Sequence, residues 1–176
     1  FVDQCDKHFG WHVVWVEAVV NPEKGKGIRH KVVCYETAAR YGEPFEAYIA
    51  KYGLPGPTHP QCTSRLKEEV MYDHRRSMGW NNRSYWTAIG IRADEMDSEC
   101  ASWPFDLELE GEHWGNCVWC WKKSMRKLLT LAKEDPTVFD FPKRMEEKYQ
   151  LVRDGDYERD GEHQIFRKRM STVDVL

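Results

Sequence analysis

Two thiols three residues apart, Cys117 and Cys120, are the residues of this chain whose type and spacing point most directly to chemistry. They lie in Gly115-Asn116-Cys117-Val118-Trp119-Cys120-Trp121-Lys122-Lys123-Ser124. Thiolates at this spacing bind metal or exchange with disulfides, and a single Cys-x-x-Cys is only half of a four-ligand site. The same pattern also suits two small residues packed beneath tryptophans. From Val118 the apolar residues recur at Trp121, Met125, Leu128, Leu129 and Ala132, the spacing of a long amphipathic helix. Asn116 is its expected N-cap. Both thiols then sit near the positive end of the helix dipole, which favours thiolate over thiol.

The elements around this pair can be read in chain order. Residues 1–8 have the character of a helix tail that stops at Gly10. His12 to Val20 is apolar on both parities, which suits a strand covered on both faces, as in a parallel sheet. Glu17 interrupts that run and needs either the strand's exposed end or a cation. Asn21 to His30 is a glycine-containing loop that, with Lys31 just after it, carries Lys24, Lys26, Arg29 and Lys31, read first as solvated and second as phosphate-binding. Lys31 to Tyr35 is a second strand candidate. A helix is expected from Pro44 to Gly53, and another from Pro60 to Arg76 that ends at Gly79. Cys62 shares a face of the latter with Leu66 and Val70; it reads as core unless it meets the Cys117 pair in space. Tyr85 to Ile91 is the third strand candidate. Arg92-Ala93-Asp94-Glu95 follows it directly, at the position where open α/β sheets bind ligands. That stretch fits an anion-binding or catalytic rim, or an ordinary polar loop. Asp135-Pro136 breaks the chain, Pro142 to Gln150 restarts as a charged helix, and a short helix capped at Ser171 closes the sequence.

With 176 residues the chain is sized for one domain, and 41% apolar residues suffice for a core. A net charge of −3 gives no general attraction to nucleic acid or anionic membrane. No run of about 18 apolar residues exists to span a bilayer, and Phe1 to Asp6 is not a signal peptide. Six cysteines without an export signal are expected in a reducing cytoplasm, where clusters more often bind metal. Dinucleotide, Walker, nucleophile-elbow and zinc-protease motifs are all missing from the sequence.

Five stretches taken together carry a resemblance. They are Glu36-Thr37-Ala38-Ala39-Arg40-Tyr41-Gly42-Glu43-Pro44-Phe45, Cys62-Thr63-Ser64-Arg65-Leu66-Lys67, Gly90-Ile91-Arg92-Ala93-Asp94-Glu95, Gly115 to Cys120, and Phe166-Arg167-Lys168-Arg169-Met170-Ser171. In this order they resemble the phosphoadenosine phosphosulfate reductase family, particularly its phage-borne members, within the adenine-nucleotide α-hydrolase superfamily. The resemblance implies a doubly wound, mostly parallel α/β sheet with flanking helices, an incomplete N-terminal part and a helical C-terminal region. It implies one domain over 1–176, with a sheet-forming half at 1–95 and a mainly helical part at 96–176.

By position, Cys62, Cys117 and Cys120 resemble the family's iron–sulfur ligands, with Cys100 as the fourth candidate for a 4Fe-4S cluster. Lys67, Arg92 and Glu95 resemble the edge of its nucleotide site. The implied function is nucleotide-dependent sulfur metabolism, as a reductase or sulfurtransferase in the cytoplasm. Its partners would be an adenine nucleotide or sulfonucleotide, an electron or sulfur donor protein, and in some relatives nucleic acid; no membrane is implied. A non-catalytic module with the same thiols would instead hold zinc. The chain departs from the family pattern in three places. It has no Ser-Gly-Gly-x-x-Ser phosphate loop, so it is expected on its own to bind nucleotide poorly. The stretch after Glu95 lacks the family's Arg and longer insert. No cysteine follows Cys120, so reduction of a sulfonucleotide by a C-terminal thiol does not follow from the resemblance.

Overall fold

The computed structural model describes residues 2–56, 59–81, 84–86, 117–149 and 170–176. These form a mixed α/β structure with a single two-stranded sheet among the described residues. Helix α1, Val2–Phe9, ends at Gly10, whose φ of +64° stops the helix in the left-handed region. Strands β1, Trp15–Val20, and β2, Ile28–Val33, pair antiparallel, with Glu17 opposite Lys31 and Ala18 opposite His30. This corrects the reading of 12–20 as a strand of parallel type. The connection 21–27 is shorter than the dozen or so residues that a parallel crossover needs. The third strand candidate lies outside the described residues from Thr87 onward, and a doubly wound parallel sheet is not formed by the described strands.

Helix α2, Glu43–Tyr52, starts as read, with Pro44 in its first turn and Gly42 before it. Residues 62–77 are helical throughout but not uniform. A π-helical segment, Ser64–Glu68, precedes α3, Glu69–Ser77, so a wider turn follows directly on Cys62. Such insertions cost helix stability and recur at functional sites.

Helix α4 spans Met125–Glu134, where the sequence places a helix starting at Cys117. Ser124 accepts the Lys127 amide at 3.4 Å and fixes the start. Val118, Trp119 and Trp121 are β-branched or aromatic and give little support to a helical first turn. Residues 117–123 form linked turns instead. Asp135 caps a 3-10 turn, Pro136–Phe139, that leads into α5, Asp140–Tyr149. Helix α6, Thr172–Val175, carries the Ser171–Asp174 capping box. It is tied to α5 by the Thr172 amide, which donates to buried Glu146 at 2.7 Å.

The main core joins Tyr48 and Ile49 of α2 to Leu128 and Leu131 of α4, Phe139, Met145 of α5 and Val175 of α6. A second cluster of Ala18, Ile28 and Val70 seats the hairpin on α3. Its polar edge is Asp73, which is 8% exposed. Asp73 accepts from Arg29 Nη1 at 2.8 Å and from the His30 amide at 3.0 Å, and it meets His30 Nδ1 at 2.7 Å. Burial alone would raise this carboxyl, but the His30 and Arg29 bonds outweigh it and hold it well below the usual carboxylate range.

The linkage sign follows from that depression. The contribution is complete above the unfolded carboxylate value near ~4 and is lost as pH falls. Asp73→Asn is expected to cost about 2 kcal/mol at neutral pH. It should also flatten the acid limb of the stability–pH curve below about pH 4, read by thermal unfolding across pH. An unchanged acid limb in the variant would reject the role given to this carboxylate. Glu17 finds its cation: Lys31 Nζ is 2.7 Å away and the Ala39 amide donates to it at 2.6 Å. Burial pushes Glu17 up, and these two partners bring it below its ordinary value. Among the described residues no helix is long and apolar enough to cross a membrane.

Candidate functional site

Three thiols, one of them distant in sequence from the other two, come near enough for Cys62 and Cys120 both to act on Cys117. Cys62 lies at the start of the helical segment before the π turn, and it packs on the main core together with Leu66, Val118 and Trp119. Cys117 and Cys120 lie in linked turns: the Cys120 amide donates to the Cys117 carbonyl at 3.0 Å, and the Lys123 amide to the Cys120 carbonyl at 2.9 Å. Cys117 is exposed like Cys34, yet its thiol is pushed up, chiefly by desolvation from the protein around it. Lys67 and Lys123 oppose this shift, and the neighbouring Cys120 and Cys62 thiols add to it. Lys67 and Cys62, both implied by the resemblance, therefore act on Cys117. The direction corrects the expectation of a favoured thiolate, because α4 begins at Met125 and its dipole does not open at Cys117. Lys123 is only 8% exposed, and spacing does not single it out; a lysine between a thiol pair and a helix cap makes no pattern.

Cys34, Cys62, Cys117 and Cys120 are free thiols. Cys34 is exposed in the turn after β2, 3.2 Å from the Thr37 hydroxyl. Arg92, Glu95 and Cys100 lie outside the described residues. Among the described residues no group of three or more His, Cys, Asp or Glu side chains is arranged to hold a metal ion.

Two buried donors bear on what the thiols could hold. Tyr48 Oη and Trp121 Nε1 are buried and make no hydrogen bond. An unsatisfied buried donor costs about 1–3 kcal/mol and calls for an explanation. Tyr48 is raised in pKa first by burial and next by the Cys62 thiol, which places it in that thiol's surroundings. A donor that is costly beside a neutral thiol becomes favourable beside a metal-bound thiolate or sulfide.

Beside Cys117 opens a cleft of about 420 Å³. Its wall is aromatic: Trp119 stacks on Phe141 at 5.6 Å, and Phe45 meets Trp119 edge-on at 5.3 Å. Arg40 and Arg144 line it as well, and the Arg144 guanidinium lies 5.4 Å from the Phe141 ring centre. Gly42 makes this packing possible. Its φ is +87°, and a Cβ there would stand 2.4 Å from Phe141 Cε2. Sequence reasoning misses this cleft, since Gly42 and Phe141 are far apart in the chain; the glycine before Glu43-Pro44 is its one local signal. Asp140 lines it too, so an aromatic wall with two guanidinium groups and one carboxylate suits a flat ligand with polar groups at its edge.

No family model matches the chain, and no solved structure matches it. The chain is similar to an uncharacterized nin region protein, ORF290, of Escherichia phage lambda. The two are 28% identical over 206 residues, covering 97% of this chain and 67% of that protein.

Proposed function

We propose that this chain is a nucleotide-dependent enzyme of sulfur metabolism, a relative of the phosphoadenosine phosphosulfate reductases or of sulfurtransferases, with a Cys-ligated iron–sulfur cluster. One observation carries the reading: Cys62, distant in sequence, lies near enough to act on both Cys117 and Tyr48, and Tyr48 is a buried donor without a hydrogen bond. The order of motifs along the sequence supports it. Cys62, Cys117 and Cys120 would hold the cluster, with Cys100 as the fourth ligand or with one iron left open. Three thiolates brought together repel one another unless a cation sits between them, so ligand closure would belong to the loaded protein. A bound cluster supplies electrons or an open iron for sulfur.

The protein's own groups would do the rest. Lys67 and Lys123 offset the negative charge of the thiolates. Tyr48 Oη would donate to a ligand sulfur. Lys67, Arg92 and Glu95 would form the edge of a nucleotide site, and the aromatic cleft beside Cys117 would receive the flat part of the substrate. In this reading the sheet is doubly wound and mostly parallel, over a single domain with a sheet-forming half (1–95) and a mainly helical part (96–176), in the cytoplasm, with a donor protein and in some settings nucleic acid as partners.

A second reading is a structural module with a closed zinc site of four cysteine ligands. It is favoured by the packing of Cys62, Val118 and Trp119 against the main core. Anaerobic purification followed by metal and acid-labile sulfide analysis separates the two. Iron with sulfide in similar amounts supports the enzyme; one zinc per chain without sulfide rejects the cluster and leaves the module.

A further inference from the structure

The loop between β1 and β2 reads in the sequence as a solvated basic segment. The structure folds it against α2 and the π turn, where it closes a cleft of about 530 Å³. Lys24 and Lys26 line this cleft from the loop, Lys51 from α2 and Arg65 from the π turn, and among the described residues no carboxylate lines it. Lys51 acts as a strut: its ammonium donates to the Asn21 carbonyl at 2.6 Å and to the Lys26 carbonyl. An ammonium has three donors, so one remains. Lys51 Nζ and the Arg65 guanidinium each lie 5.2 Å from the Tyr52 ring centre, which fixes both cations from the same side chain. Arg65 also pairs with Glu69, which neutralises part of its charge.

Lys24, Lys26, Lys51 and Arg65 thus bring four cationic side chains to one cleft of a chain of net charge −3, and a polyanion seated there would offset their mutual repulsion. The loop also offers backbone. Gly25 has a φ of +79°, and ideal Cβ atoms at Gly25 and Gly27 would meet nothing within 4 Å, so a ligand can approach the main chain there. The volume suits a small molecule.

We propose that this cleft is a second ligand site, which binds the phosphate groups of a small polyphosphate or phosphoester. Lys24 and Lys26 grip it from the loop, and Lys51 and Arg65 from the helical side. The site does not share the thiol corner's chemistry, and its test is independent of metal.

The test is calorimetric titration of the full chain with inorganic pyrophosphate at low salt. Single-stranded oligonucleotide serves as a competitor, and Lys133→Glu on α4 as a charge control. Binding that weakens about tenfold in Lys26→Glu, further in Lys24→Glu/Lys26→Glu, and not in Lys133→Glu would support the site. Lys26→Gln should weaken binding less than Lys26→Glu, which separates charge from misfolding, and far-ultraviolet circular dichroism should match among the variants. No binding up to about 10 mM pyrophosphate, or binding indifferent to both loop lysines, would overturn it. Tight strand binding that pyrophosphate does not displace would overturn it too, in favour of a nucleic-acid loop.

Discussion

Gly42→Ala is expected to destabilise the protein by roughly 2–4 kcal/mol, a large share of what a domain of this size has to lose. Two effects add. The backbone at φ +87° disfavours any side chain, and the new Cβ would stand 2.4 Å from Phe141 Cε2 and 2.9 Å from Cδ2 and Cζ. An isolated ring could turn aside at little cost. Phe141 cannot do so freely, because Trp119 stacks on it at 5.6 Å and Phe45 lies edge-on at 6.0 Å. Denaturant unfolding of Gly42→Ala, Phe141→Ala and the double variant measures this directly. The pair should be clearly sub-additive, since removing the ring removes the clash. Additive losses would show that only the backbone conformation matters and that the cleft wall adapts.

Cys62→Ser, Cys117→Ser and Cys120→Ser are each expected to lower the metal retained through anaerobic purification by about tenfold or more. Cys34→Ser, in the exposed turn after β2, should leave it unchanged. Cys62 is the informative member, because it is far from the others in sequence and enters the site only through the fold. Its serine variant should lose metal while the hairpin and α3 remain folded, since their contacts run through Ala18, Ile28, Val70 and Asp73. Full metal retention in Cys62→Ser would confine the site to the Cys-x-x-Cys turns and break the three-thiol corner.

How far the sequence reveals this structure depends on the range of the forces involved. Local signals are legible. Pro44 and Gly53 bracket α2, Gly10 stops α1, Asp135-Pro136 breaks the chain, and Ser171 caps α6 with Asp174. Partnerships across the chain are not. The alternation-free run before Asn21 is as compatible with an antiparallel hairpin packed on a helix as with a parallel strand, and the short connection decides. The apolar spacing after Val118 is real, but it is satisfied from Met125 onward, where Ser124 caps the helix; the β-branched and aromatic residues before it form turns. Lys67 and Cys62 enter through a resemblance, and in the fold both act on Cys117. Asp73, the Gly42–Phe141 contact and the Lys51 strut depend on residues far apart in the chain, and no periodicity encodes them.

If Cys62, Cys117 and Cys120 together hold the proposed metal, they should be shielded together when it is bound, and differential alkylation tests this most directly. The chain is reconstituted anaerobically with iron and sulfide, treated briefly with an alkylating agent, and mapped by mass spectrometry beside the metal-free protein. Cys62, Cys117 and Cys120 are expected to be protected together in the reconstituted sample and modified after metal removal, while Cys34 is modified in both. Protection of Cys117 and Cys120 without Cys62, or alkylation of all three at the rate of Cys34, would contradict the shared corner.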